Sequence, residues 1–280
     1  MLFRSEKYPE RFIEIGVAEQ NLASVASGVA AMGKIPFISS YAVFSPGRNW
    51  EQIRTTICYN NVPVKIAGSH AGVSVGPDGG SHQALEDIAI TRVLPRMVVI
   101  SPCDAIEARK ATMAAARTNS PTYIRLAREK TPVITSDLSP FEIGKAAIFY
   151  KTDDKAHDVG IIATGALVHR SLLAAKKLEL DGKRVVVMNL ATIKPLDEDA
   201  IIKLAHECGS IVTVEEHQIR GGMGSAVAEC LARHSPVPIE FIGVDDKFGQ
   251  SGTPDELIEH YRMGEKDIYK AAQRVMLRKK

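Results

Sequence analysis

The chain has 280 residues, 45% hydrophobic and 24% charged, ordinary values for a globular protein, and at roughly 150 residues per domain it is long enough for two domains. Its 35 basic and 33 acidic residues leave a formal charge of +2, too balanced for a nucleic-acid or membrane-surface protein. Cys58, Cys103, Cys208 and Cys230 are scattered with no CxxC pair, which argues against a zinc ribbon or disulfide scaffold and for a reducing compartment.

The charged start MLFRSEKYPERF does not resemble a secretory signal peptide. Glu19 to Met32 predicts a helix rich in small residues, with Leu22, Val25, Val29 and Met32 on one face. Ile35 to Phe44 reads as a strand entering a loop, Asn49 to Tyr59 as a helix, and Pro63 to Gly68 as a strand opening into a glycine-rich loop, Ser69 to Ser81. A helix from Gln83 to Arg92, a strand from Met97 to Ile100, a helix from Ala105 to Arg117 capped by Asp104, and a strand from Thr122 to Leu126 complete the first half. Regularity lapses between Arg128 and His157, where Pro132, Pro140 and the charged cluster Lys151 to Lys155 suggest a linker. Strands at Val159, Arg184, Ile211 and Ile239 then alternate with helices at Leu167, Asp197, Met223 and Pro254. This alternation predicts an α/β protein of two domains with mostly parallel sheets, 1–138 and 158–280, joined by a linker over 139–157. The most apolar stretch, Val159 to Val168, falls short of the roughly 18 to 20 residues that span a bilayer, so the expectation is a soluble, cytoplasmic protein.

Nucleotide-binding motifs are missing: there is no P-loop and no complete GxGxxG between a strand and a helix. Arg220-Gly-Gly-Met-Gly224 does join a strand to a helix, where backbone N–H groups can hold an anion, although a plain tight turn explains the glycines equally well. The densest polar cluster is His70 to His82, which follows a strand, as ligand sites in open α/β sheets do. His70, Asp78 and His82 match no common zinc spacing; they fit either a sugar-binding or metal-binding role or a solvated turn built by Pro77, Asp78 and Gly79. Glu19 opens a helix among small residues. There a carboxylate serves the helix dipole, or, when buried, holds a proton near neutral pH. Phe44 and Trp50 flank the loop Ser45-Pro-Gly-Arg48 and are either plain core or a stacking surface for a flat ring.

Taken together, these segments resemble the transketolase group of thiamine-diphosphate enzymes. Arg11-Phe-Ile-Glu-Ile-Gly-Val-Ala-Glu19-Gln20 is similar to the family segment that carries the catalytic glutamate, and HAGVSVGPDGGSHQ, from His70 to Gln83, resembles the substrate loop. Ile124-Arg-Leu-Ala-Arg128 is similar to a strand leading to a phosphate-binding arginine. Glu215-Glu-His217 and Phe248-Gly-Gln-Ser-Gly252 resemble parts of the C-terminal domain, so the likeness covers nearly the whole chain. It implies a pyrimidine-binding domain of thiamine-diphosphate type followed by a transketolase C-terminal-like α/β domain.

By that resemblance the chain is the C-terminal subunit of a split transketolase, moving a two-carbon ketol unit from a ketose phosphate to an aldose phosphate. Glu19 is implied to hydrogen-bond the aminopyrimidine of thiamine diphosphate, with Phe44 and Trp50 walling it. His70, Asp78 and His82 are implied to contact the donor sugar, the histidines catalytically, and Arg128 to hold its phosphate. The sequence lacks the family's GDG motif for the diphosphate and its Mg2+ or Ca2+. The expected partner is therefore an N-terminal subunit carrying that motif, in an α2β2 heterotetramer. Relatives place a strand and helix ahead of the segment matching Leu2 to Gly16, and without them an exposed sheet edge is expected. Deoxyxylulose-phosphate synthase and the β subunit of 2-oxo acid dehydrogenases share parts of the pattern. The first carries arginine where His70 stands, and the second lacks the paired histidines. A non-catalytic interaction protein of the same fold is the alternative from another class.

Overall fold

The computed structural model describes residues 6–152 and 156–279. The start of the sequence, part of the charged cluster at 151–155 and the last residue of the basic tail lie outside the described residues. The first half supplies helix α1 (Glu19–Ala31), β1 (Phe37–Tyr41), α2 (Trp50–Gln52, continued as a π-helix over Ile53–Tyr59), β2 (Lys65–Ser69), α3 (Asp87–Arg92), β3 (Val98–Ile100), α4 (Ala105–Ala116) and β4 (Thr122–Arg125). The second supplies β5 (Ala147–Lys151), β6 (Val159–Ala163), α5 (Leu167–Leu180), β7 (Val185–Asn189), β8 (Thr192–Lys194), α6 (Glu198–Cys208), β9 (Ile211–Gln218), α7 (Met223–His234), β10 (Ile239–Val244), α8 (Pro254–His260) and α9 (Glu265–Met276).

Two five-stranded sheets result, in the orders β1-β2-β4-β3-β8 and β10-β9-β6-β7-β5. Within each sheet four strands run parallel, and the fifth, β8 or β5, adds antiparallel at an edge. Every position of β6 and β7 is buried, as parallel strands covered on both faces require. One apolar cluster runs without a break from Ala23, Ile53 and Ile66 of the first half to Met188, Ile201 and Val227 of the second. Another packs α5 and α9 against the opposite face of the second sheet. Among the described residues no helix is long and apolar enough to cross a membrane, and all four cysteines are buried thiols.

Several elements depart from the sequence reading. The buried face of α1 is Ala23, Ala26, Ser27 and Ala30, not the stripe of larger residues, and Met32 is 82% exposed. Small side chains let α1 lie close to the π-helical segment, where Ser27 Oγ donates to Thr56 O at 2.6 Å. The helix expected from Gln83 begins at Asp87, because Gln83 is engaged by loop carbonyls. Strand β5 lies inside the stretch read as irregular; its short apolar run Ala147-Ile-Phe-Tyr150 is only half-buried or exposed, as befits an antiparallel edge strand. Strand β8, three residues from the second half, completes the first sheet and joins the two units by hydrogen bonds.

Asp104 caps α4 as expected, accepting from Glu107 N at 2.8 Å, and it also accepts from the backbone N–H groups of Ile134 and Thr135. Burial alone would raise its pKa, but these bonds and that from Thr135 Oγ1 outweigh burial and hold the carboxyl below its usual value.

Candidate active site

The carboxyl ends of β1, β2 and β4 open onto one side of the first sheet, the position where open α/β sheets bind ligands. Glu19 is the first residue of α1 and is 6% exposed. Its carboxylate oxygens meet Ser40 Oγ and Arg48 Nη1, each at 3.5 Å, the long limit for a hydrogen bond. Asn49 Nδ2 donates to Glu19 O at 3.0 Å and to Ser45 Oγ at 3.2 Å, which ties the turn after β1 to the start of α1.

Four rings gather at the same carboxyl ends of β1 and β2. Tyr41, the last residue of β1, stacks on His70 with centroids 4.0 Å apart and planes 10° from parallel. His82 meets the edges of Tyr41 and Phe44 at 5.9 and 5.4 Å. Trp50 is not part of this group. Its indole Nε1 donates to Ile90 O at 2.6 Å and its ring packs on the apolar core.

The loop from His70 to Gln83 is held in a strained and closely supported form. His70 itself has φ +57°, a left-handed conformation that costs energy for a residue with a Cβ. Gln83 Nε2 donates to Val73 O, Gly76 O and Gln250 O, pinning the loop to the Phe248–Gly252 turn of the second unit. A Cβ at Gly249 would fall 1.7 Å from Gln83 Oε1, so that turn approaches the loop as closely as glycine allows. His70 Nδ1 is buried without a hydrogen-bond partner among the described residues. Burial, and after it the Arg128 cation, push the His70 imidazole below its usual pKa, against the opposing pull of Asp78 and Glu129. A neutral ring with an open nitrogen results. His82 Nδ1 lies 3.0 Å from Ser81 Oγ. Arg128, three residues beyond β4, pairs with Asp78 Oδ1 at 3.3 Å and donates to Val75 O.

A buried ionic layer beneath the loop carries it, and the sequence reading missed its importance. Arg125 Nε pairs with Asp87 Oδ2 at 2.8 Å, with the two side chains 7% and 1% exposed. Tyr123 donates its hydroxyl to the same oxygen, and Arg125 Nη2 donates to Glu216 O at 2.7 Å, across to β9. The Glu216 carboxylate accepts from Ser74 N at 2.6 Å, within the loop. Burial pushes the Glu216 carboxyl up, while Arg125 and the bond from Ser74 pull it down.

The other glycine-rich candidate is closed. Glu215 Oε2 and Oε1 accept from Met223 N and Gly224 N at 2.7 and 2.8 Å, so the first N–H groups of α7 are already taken by a carboxyl belonging to the chain. Among the described residues no group of three or more His, Cys, Asp or Glu side chains could hold a metal ion. Glu19, Phe44, His70, Asp78, His82 and Arg128 lie in one connected set of contacts that runs through Tyr41, Ser40 and Arg48, none of which the sequence singled out.

Comparison with known proteins agrees in both halves. Residues 2–133 match the pyrimidine binding domain of transketolase, and residues 150–268 match the transketolase C-terminal domain. The chain is 40% identical over 275 residues to a 6-deoxy-6-sulfo-D-fructose transketolase subunit of a Clostridium species, covering 98% of this chain and 84% of that one. It is 36% identical to an apulose-4-phosphate transketolase subunit of Phocaeicola vulgatus, covering 96% and 85%. A solved split-gene transketolase, described as an inactive β4 tetramer, superposes with a TM-score of 0.92 at 42% identity, covering 99% of this chain and 88% of that one.

Proposed function

The chain belongs to the transketolase family as the C-terminal subunit of a two-subunit enzyme, and from that premise we propose that Glu19 and Phe44 receive the aminopyrimidine of thiamine diphosphate while His70, Asp78, His82 and Arg128 receive the donor sugar. The carrying observation is the convergence of a buried, loosely partnered carboxylate with aromatic and imidazole rings at the carboxyl ends of β1 and β2.

The residues fit the aminopyrimidine half of the cofactor. Both Glu19 oxygens keep capacity for a ring nitrogen, and the Arg48 guanidinium that one of them meets lies over the Phe44 ring, an aromatic face for a flat group. They do not fit the diphosphate or its divalent metal, Mg2+ or Ca2+, for which no ligand cluster exists among the described residues. We assign that half to an N-terminal partner subunit carrying the GDG motif, in an α2β2 assembly. When bound, thiamine diphosphate supplies the chemistry that breaks a carbon–carbon bond beside a carbonyl.

This chain's residues position and exchange protons around that chemistry. Glu19 holds a hydrogen bond to the pyrimidine nitrogen from the buried end of α1. His70, neutral and with an open ring nitrogen, hydrogen-bonds a sugar hydroxyl or carbonyl where negative charge develops. His82, steadied at Nδ1 by Ser81, offers its second nitrogen to the same sugar. Arg128 exchanges its bond to Asp78 for the anionic end of the substrate, and Asp78 is then available to a hydroxyl. The two named relatives act on a sulfo-sugar and a sugar phosphate, both ending in an anionic group, which supports a phosphorylated or similarly charged ketose as donor.

The test is reconstitution. The purified chain alone should transfer no ketol units from a ketose phosphate, and the chain mixed with its GDG-bearing partner and thiamine diphosphate should. Robust turnover by the chain alone, or none by the complex with any sugar phosphate, contradicts this assignment.

A further inference from the structure

Arg48 contacts both groups assigned above to the pyrimidine ring. Its guanidinium carbon is 5.1 Å from the centroid of the Phe44 ring, and its Nη1 is 3.5 Å from Glu19 Oε2. These are the two groups that the proposed function assigns to the cofactor: a carboxylate for a ring nitrogen and an aromatic face for a flat ring. A guanidinium is planar, delocalised and rich in donors, so it satisfies both at once.

The rest of the residue is built to let that side chain move. Its backbone is fixed: Arg48 N donates to Phe44 O at 2.8 Å, and the neighbouring Asn49 is bonded to the start of α1. Its side chain is 54% exposed and makes no other polar contact among the described residues. A long cation on a rigid turn, held by two weak contacts and open to solvent, can swing aside without disturbing the fold.

We propose that Arg48 is a placeholder. In the free subunit it occupies the pyrimidine position between Phe44 and Glu19, gives the buried carboxylate a counter-charge, and leaves when the cofactor ring enters. The proposal rests on the reading of Glu19 and Phe44 as the pyrimidine's partners. Its consequence is that cofactor binding breaks a cation–π contact and an ion pair, so Arg48 lowers affinity for the cofactor.

The test is a calorimetric titration of thiamine diphosphate into the complex of this chain with its GDG-bearing partner. Arg48→Ala should lower Kd about five-fold at low salt, the equivalent of one exposed cation–π contact and one half-exposed ion pair. Arg48→Lys, which keeps the charge but not the plane, should fall between alanine and wild type. The gap between Arg48→Ala and wild type should narrow in high salt, where the wild-type pair is screened. Arg48→Gln makes the same comparison if the alanine variant does not assemble. An unchanged Kd overturns the proposal, and so does a higher one, which would show that Arg48 clamps the bound cofactor. If wild type binds but the variants bind no tighter, the placeholder alone fails. If the wild-type complex takes up no thiamine diphosphate, the cofactor assignment fails and the placeholder with it.

Discussion

The chain contains two glycine-rich turns that each follow a parallel strand, and they end in opposite states. After β9, the turn 220–224 is filled from within: both oxygens of Glu215 are bonded to the first N–H groups of α7. A Cβ at Gly222 would lie 2.3 Å from Glu215 Oε2, so those glycines make room for the chain's own carboxylate. After β2, the loop from His70 to Gln83 leaves His70 Nδ1 without a hydrogen-bond partner among the described residues and Arg128 in an exchangeable pair. Both stretches have the composition of an anion or ligand site, and a hydrogen-bond census separates them. A turn whose donors are consumed is structure, whereas one that buries polar atoms without partners leaves capacity for a ligand.

That contrast can be broken at several points. The largest expected effect is on the support beneath the open loop. Arg125→Met leaves Asp87 buried without its cation and should cost about 3 to 5 kcal/mol of stability. Urea unfolding would measure it; a loss under about 1 kcal/mol would mean the loop does not depend on the ionic layer. Next is the loop itself. His70→Ala should lower ketol transfer by the assembled complex about 100- to 1,000-fold while sparing cofactor affinity, as expected for removal of a group that meets developing charge. An unchanged rate would remove His70 from the site.

The closed turn should respond differently. Glu215→Gln replaces one cap acceptor by a donor and should cost about 1 to 2 kcal/mol of stability, read from thermal melting, with kcat unchanged. A large loss of activity at wild-type stability would show that this turn also binds substrate. The smallest effect concerns pH. Because burial lowers the His70 pKa, the folded chain refuses a proton that the unfolded chain accepts below about pH 6.5. Stability should therefore fall as pH drops through that value, and the slope should be shallower in His70→Ala; equal slopes would place the charge change elsewhere.

Much of this was legible in the sequence, for identifiable reasons. The alternation of apolar runs with helical periods specified two parallel α/β units, and Glu19, His70, Asp78, His82 and Arg128 stand in a recognisable pattern that the fold brings to one side of a sheet. Elements set by tertiary contact were not legible. Strand β8 is three residues long and finds its register against β3 of the other half. The buried stripe of α1 consists of alanine and serine, so a hydrophobicity pattern points to the wrong face. Trp50 reads as a wall because aromatic residues serve both cores and ligands, and its bond to Ile90 O is a long-range contact. Tyr41 and Arg48 acquire their roles from the ring and carboxylate beside them, 29 residues away in sequence for both the Tyr41–His70 and Arg48–Glu19 contacts. The capping of α7 by Glu215 likewise depends on how β9 runs into the turn, which glycine spacing does not reveal.

The central claim is that this chain completes an active site by contributing Glu19 to a cofactor held mainly by another subunit. The most direct measurement is the ketol-transfer rate of the assembled complex carrying Glu19→Gln. The variant complex should still assemble but turn over about 100- to 10,000-fold more slowly, the loss expected when a positioned proton-exchanging group is removed. Wild-type turnover by that variant would contradict it.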